Sequence, residues 1–102
     1  AGLELTLPTI AENVTHVFHQ YVVRTGRRDA LREHLRRSSI GALIHYPVPV
    51  HLQSAYRDRV LRAGSLGATE AAAREVLSLP MYPELTRADV ERVCAAVRDF
   101  LP

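Results

Sequence analysis

Near the end of the chain, Val90, Val93, Cys94, Val97 and Leu101 fall at offsets of 0, 3, 4, 7 and 11. That spacing draws an apolar stripe down one face of an α-helix. A helix that is apolar on one side needs a second layer to cover the stripe. Just ahead of it, Thr86-Arg87-Ala88-Asp89 has the form of a capping box, with Asp in place of the usual Glu. The segment therefore predicts a helix with a defined start, packed on something flat.

Three segments offer that flat layer. His16 to Thr25, HVFHQYVVRT, is rich in β-branched and aromatic residues, with Val17, Tyr21 and Val23 on one parity, and predicts a strand ended by Gly26. A second strand, ALIHY at 42–46, is stopped by Pro47, and Ser78-Leu79-Pro80 forms a short third. Helices fill the gaps. One runs from a cap at Asp29 to about Ser38, with Leu31 and Leu35 inward and Arg32, Arg36 and Arg37 outward. Leu52, Tyr56 and Val60, spaced by four, predict a helix over 52–63, which Gly64, Ser65 and Gly67 end. Thr69 caps a further segment of strong helix formers, ATEAAAREVL at 68–77. Residues 1–15 lack a period and read as a linker, leaving 16–102 as the folded domain. The expected class is α+β: a small three-stranded sheet covered by helices.

At 102 residues and 47% hydrophobic, the chain has the size and apolar content of one domain with its own core. The single cysteine, Cys94, permits no internal disulfide, which fits a reducing compartment. There is no signal-peptide pattern and no apolar run near the ~20 residues of a membrane span, so a cytoplasmic protein with no membrane partner is expected. The net charge of +2 and 6% aromatics give no stacking platform, and Asp29 and Glu33 lie among the arginines, so no nucleic-acid partner is expected. All 13 Lys-or-Arg positions are arginine. Without a lysine, no side-chain amine is available to attach a carbonyl cofactor.

The five histidines do not form a metal set. His16 and His19, three apart on a strand, point to opposite faces. His34 sits on the arginine-rich helix and reads as solvated. Cys94, inside the apolar stripe, reads as an inert small hydrophobe. Ser38, Ser39 and Ser78 have no evident base, and no phosphate-binding glycine loop is present. No catalytic residue and no metal ligand is expected. What stands out is I-H-Y-P-V-P-V-H at 44–51. Pro47 and Pro49 fix their own φ and restrict Tyr46 and Val48 before them. A loop this stiff presents side chains without an ordering cost, which makes His45, Tyr46 and His51 candidate binding residues. The plainer alternative is that the prolines only end a strand.

Three ordered segments, HVFHQYVVR at 16–24, RDALREHLRRSSIGALIHYPVPVHLQSAY at 28–56 and EAAAREVLSLPMYPELTRADVERV at 70–93, resemble the C-terminal domain of the DegT/DnrJ/EryC1/StrS sugar aminotransferases. The resemblance spans roughly residues 14–101. It implies the small domain of a type I aminotransferase fold, in an enzyme that uses pyridoxal 5'-phosphate to aminate keto sugars linked to nucleotides. It also implies a large domain carrying the cofactor and its lysine, and a homodimer with active sites near the subunit interface. His45, Tyr46 and His51 would then form a wall of the nucleotide-sugar site. This chain has no lysine and does not begin with methionine, which agrees with a fragment inactive on its own. The family also holds dehydratases, and a stand-alone binding module derived from it is the alternative.

Overall fold

In a computed structural model, residues 4–61 and 64–102 are described. Strand β1, Tyr21–Arg24, pairs antiparallel with β2, Val76–Leu79, setting Tyr21 opposite Leu79 and Val23 opposite Leu77. Alternation puts these four on one face, where Val23 and Leu77 are fully buried. With Leu31, Leu35, Ile40, Ala42 and Val97 they form the core. The class is α+β, but among the described residues the sheet has two strands, not three.

The expected second strand, 42–46, contracts to one bridge. Leu43 N–H donates to Ser78 O at 3.1 Å, and Ser78 N–H donates to Leu43 O at 2.7 Å. The reason is local. Ile40 N–H still donates back to Leu35 O at 2.9 Å, closing the preceding helix, and Pro47 offers no N–H beyond. Too few residues lie between for a ladder. A second bridge at the opposite edge joins Thr6 to Arg24, tying part of the expected linker to the sheet.

β1 starts later than expected. His16 Nδ1 accepts from Phe18 N–H at 2.8 Å and the two rings stack at 4.2 Å. That local bond takes the amide away from any ladder, and Val17 is left exposed.

Helix α1, Arg28–Arg37, buries Leu31 and Leu35 as expected and turns Arg32, Arg36 and Arg37 outward. It starts ahead of Asp29, which therefore sits in the first turn and makes no cap. Its last turn carries a charge cluster. Arg36 and Arg37 both donate to Glu33, at 2.7 and 3.1 Å, and hold the Glu33 carboxyl down at about 2, from an ordinary 4.5. A carboxylate depressed on folding stabilises the fold above its unfolded value, and that gain is lost as pH falls through the folded one. Acid titration followed by circular dichroism is expected to destabilise the wild type relative to Glu33→Gln between about pH 4.5 and pH 2. Parallel curves would contradict the cluster.

Helix α2, Gly67–Glu75, has Leu66 at its N-cap, so Thr69 lies inside it and does not cap it. It ends before Val76 and Leu77, which join β2. Arg28, buried at 8% exposure, reaches its C-terminal end and donates through Nη1 to Ala73 O at 2.9 Å and Val76 O at 3.2 Å. A cation at the negative end of a helix satisfies carbonyls that the helix itself leaves unpaired.

Helix α3, Arg87–Phe100, begins with both halves of the capping box. Thr86 Oγ1 accepts from Asp89 N–H, and Asp89 Oδ2 accepts from Thr86 N–H, each at 3.1 Å. The Thr86 hydroxyl also donates to Asp89, and these bonds lower the Asp89 pKa. α3 packs on α1, where His34 is not solvated. Its Nε2–H donates to Ala96 O at 2.9 Å and its ring lies 5.4 Å from Phe100. The apolar stripe is only half covered. Val97 is buried, but Val90 and Cys94 are exposed, so Cys94 is not a core residue. They line an apolar groove of about 420 Å³ with Leu7, Tyr21 and Met81.

The expected helix over 52–63 is absent from the described residues. A single 3-10 turn, Val50–Leu52, is followed by irregular turns, while Arg62 and Ala63 lie outside the description. Leu52, Tyr56 and Val60 stay substantially exposed, so the spacing of four has no layer to bury it.

Candidate functional site

The core occupies one face of the sheet. On the other parity, Val22 stands opposite Ser78 and Arg24 opposite Val76. This second face meets the loop that follows Leu43. Ser78 is buried there, at 6% exposure, and its Oγ lies 2.9 Å from Nδ1 of His45. Gln20 Nε2 lies 3.1 Å from the same nitrogen. His45 is therefore pinned from behind by one residue of β2 and one just ahead of β1. Ser78 does have an imidazole beside it, contrary to the sequence expectation.

Tyr46 follows on the open side, 72% exposed, with its ring edge-on to His45 at 5.3 Å between centroids. The peptide between them is cis. His45 and Tyr46 line a cavity of about 330 Å³ together with Ala72, Ala73, Val76, Pro49 and Gln53. The lining combines apolar side chains with a few polar groups, a usual makeup for a small-molecule site.

His51 is placed differently. It is 6% exposed, and its Nε2–H donates to Glu70 Oε1 at 2.9 Å. The contact joins the 3-10 turn to α2. His51 is an anchor that holds the loop down, and its ring is turned away from open space. Of the three expected binding residues, the structure brings His45 and Tyr46 to one cavity and buries the third. Among the described residues, no group of three or more His, Cys, Asp or Glu side chains could hold a metal ion, and no helix is long and apolar enough to cross a membrane.

Gln20 and Ser78 were not singled out by sequence as partners of this site. One signal for Ser78 was available. In V-L-S-L the two leucines take the core face, so alternation sends Ser78 to the other. Nothing local points to Gln20.

The sequence and the fold have clear counterparts. The sequence model of the DegT/DnrJ/EryC1/StrS aminotransferase family matches residues 1–98. A dTDP-3-amino-3,4,6-trideoxy-alpha-D-glucose transaminase of Streptomyces venezuelae is 48% identical over 101 residues, 98% of this chain and 27% of the relative. A dTDP-3-amino-3,6-dideoxy-alpha-D-galactopyranose transaminase of Aneurinibacillus thermoaerophilus is 40% identical over 92% of this chain and 25% of the relative. The crystal structure of S. venezuelae DesV superposes with a TM-score of 0.89 at 48% identity, covering 94% of this chain and 26% of that one. An aminotransferase from Brucella abortus gives a TM-score of 0.88 at 31% identity, over 94% of this chain and 26% of its own. The chain thus spans about a quarter of the length of the curated relatives it matches.

Proposed function

Because the chain belongs to the DegT/DnrJ/EryC1/StrS aminotransferase family, we propose that it is the small C-terminal domain of an aminotransferase acting on keto sugars linked to nucleotides. In this reading it packs against a large domain, helps close the sugar-nucleotide site, and works within a homodimer. The observation that carries the reading is the His45–Tyr46 edge of the cavity, set on a proline-stiffened loop inside a sequence 48% identical to a nucleotide-sugar transaminase.

Pyridoxal phosphate supplies the electron sink for such a transamination. The residues of this chain do not fit its covalent attachment, because the sequence contains no lysine. The proposal therefore places both the cofactor and the transfer of protons at the reacting carbon on the large domain. This chain's own part is to bind and orient. His45 and Tyr46 offer hydrogen bonds to substrate oxygens, and the apolar side chains of Ala72, Ala73 and Val76 offer packing beside them. His51 keeps the loop in place through Glu70 rather than by touching the sugar.

The test is kinetic, in the protein that joins this domain to its large one. His45→Ala is expected to lower kcat/KM for the keto sugar roughly tenfold or more, the worth of one buried hydrogen bond. Tyr46→Phe is expected to cost less, because so exposed a hydroxyl is replaced by water. An unchanged kcat/KM in both variants would sink the assignment.

A further inference from the structure

The bonds behind His45 decide which ring nitrogen carries its proton. We propose that Ser78 and Gln20 are positioning residues that hold His45 as the Nε2–H tautomer, so that it presents a neutral N–H donor to the cavity. Two independent polar groups converge on Nδ1. The amide nitrogen of Gln20, at 3.1 Å, can only donate. The hydroxyl of Ser78 is buried, and His45 Nδ1, at 2.9 Å, is its one hydrogen-bond partner among the described residues. Were Nδ1 protonated, the Gln20 amide would point its proton at another proton, and the Ser78 hydroxyl would have to accept, leaving its own buried proton without a partner among the described residues. The single lone pair of a bare Nδ1 receives both as a shared bond, and no proton is left unpaired. The proton then resides on Nε2, for which no protein partner is found among the described residues.

The ligand chemistry follows from the tautomer. A neutral N–H is matched by an oxygen that only accepts, such as a ketone or a phosphate oxygen, and gives nothing to an ammonium group. His45 thus selects for the carbonyl or the anionic part of a substrate and against its aminated counterpart. That last step rests on the functional reading above, whereas the tautomer rests on geometry alone, so each can fail without the other.

The experiment reads the tautomer directly in this chain, without substrate. Long-range 15N–1H correlation of the imidazole side chains, recorded above the ordinary imidazole titration range, separates protonated from bare ring nitrogens. The expected pattern for His45 is a protonated Nε2 and a bare Nδ1. The reverse pattern would overturn the proposal. Gln20→Glu, which lies ahead of β1 and outside the core, replaces the donor with an acceptor and is expected to draw a proton onto Nδ1. Ser78→Ala is expected to shift the Nδ1 resonance toward the protonated value. If His45 keeps its wild-type pattern in both variants, Gln20 and Ser78 do not position it. Binding separates the remaining question. If the tautomer holds but, in the protein that joins this domain to its large one, inorganic phosphate and a ketose phosphate both leave the Nε2 resonance unmoved, the selection for oxygen acceptors is wrong. A shift with phosphate alone assigns the anion, and a further shift with the ketose phosphate assigns the carbonyl.

Discussion

Leu77→Ala is expected to destabilise the domain by about 3 kcal/mol, within the range for emptying a fully buried leucine site. Leu77 has no exposed surface and stands opposite Val23, which has none either. The pair is the centre of the core face, with Leu31 and Leu35 of α1 packed in the same cluster. Nothing larger is at hand to fill the void, because β2 is only four residues long and cannot shift without breaking its pairing. A domain of this size has a total stability of roughly 5–15 kcal/mol, so the loss removes a large share of it. Chemical denaturation should show the drop, and thermal melting should fall by more than about 10 °C. Leu61→Ala, at a fully exposed side chain, serves as the control and is expected to stay within about 0.5 kcal/mol. A cost below about 1 kcal/mol at Leu77 would mean that the core lies elsewhere.

Arg28→Met is expected to cost about 2 kcal/mol, the worth of charge-assisted hydrogen bonds to buried acceptors. Methionine keeps the apolar stem and removes the fork. The carbonyls of Ala73 and Val76, at the junction of α2 and β2, then lose their donor. The ion pair with Asp29 adds little, since that carboxylate is 84% exposed. Arg28→Lys should recover only part of the loss, because one ammonium cannot replace a planar fork. Urea unfolding of the three proteins gives the comparison. Equal midpoints for wild type and Arg28→Met would show that the helix end is satisfied without the guanidinium. The residue matters to the site as well as the fold, since α2 supplies Ala72 and Ala73 to the cavity lining.

What the sequence made legible was local. α3 could be read from its capping box and its apolar period, both of which lie within one segment. The inward Leu31 and Leu35 follow from a spacing of four, whereas the chain leaves the sheet at the Leu43 bridge, well before Pro47. The misreadings share a cause. Whether a strand pairs, or a stripe is covered, depends on residues far away in sequence. Val76 and Leu77 continue an alanine-rich helix by pattern, yet pairing with β1 pulls them into a strand, a case of tertiary contacts overriding propensity. The stripe of α3 is clean, but the sheet beneath is too narrow to cover it, and Cys94 is left exposed. The site shows the same division. The stiff loop and its His45 and Tyr46 were visible, because prolines act locally. The bonds that aim His45 were not, since Gln20 and Ser78 lie 25 and 33 residues from it. Nor was the burial of His51, whose partner Glu70 is 19 residues on.

The most direct test of the proposed role is the intact mass of the native gene product, isolated from its own cells and examined for bound pyridoxal phosphate. The account predicts a product several times heavier than 11.4 kDa, with the cofactor on a lysine outside these 102 residues. A native product of this same length, with no cofactor, would contradict it. The stiff His45–Tyr46 loop would then belong to a stand-alone binding module rather than to an enzyme.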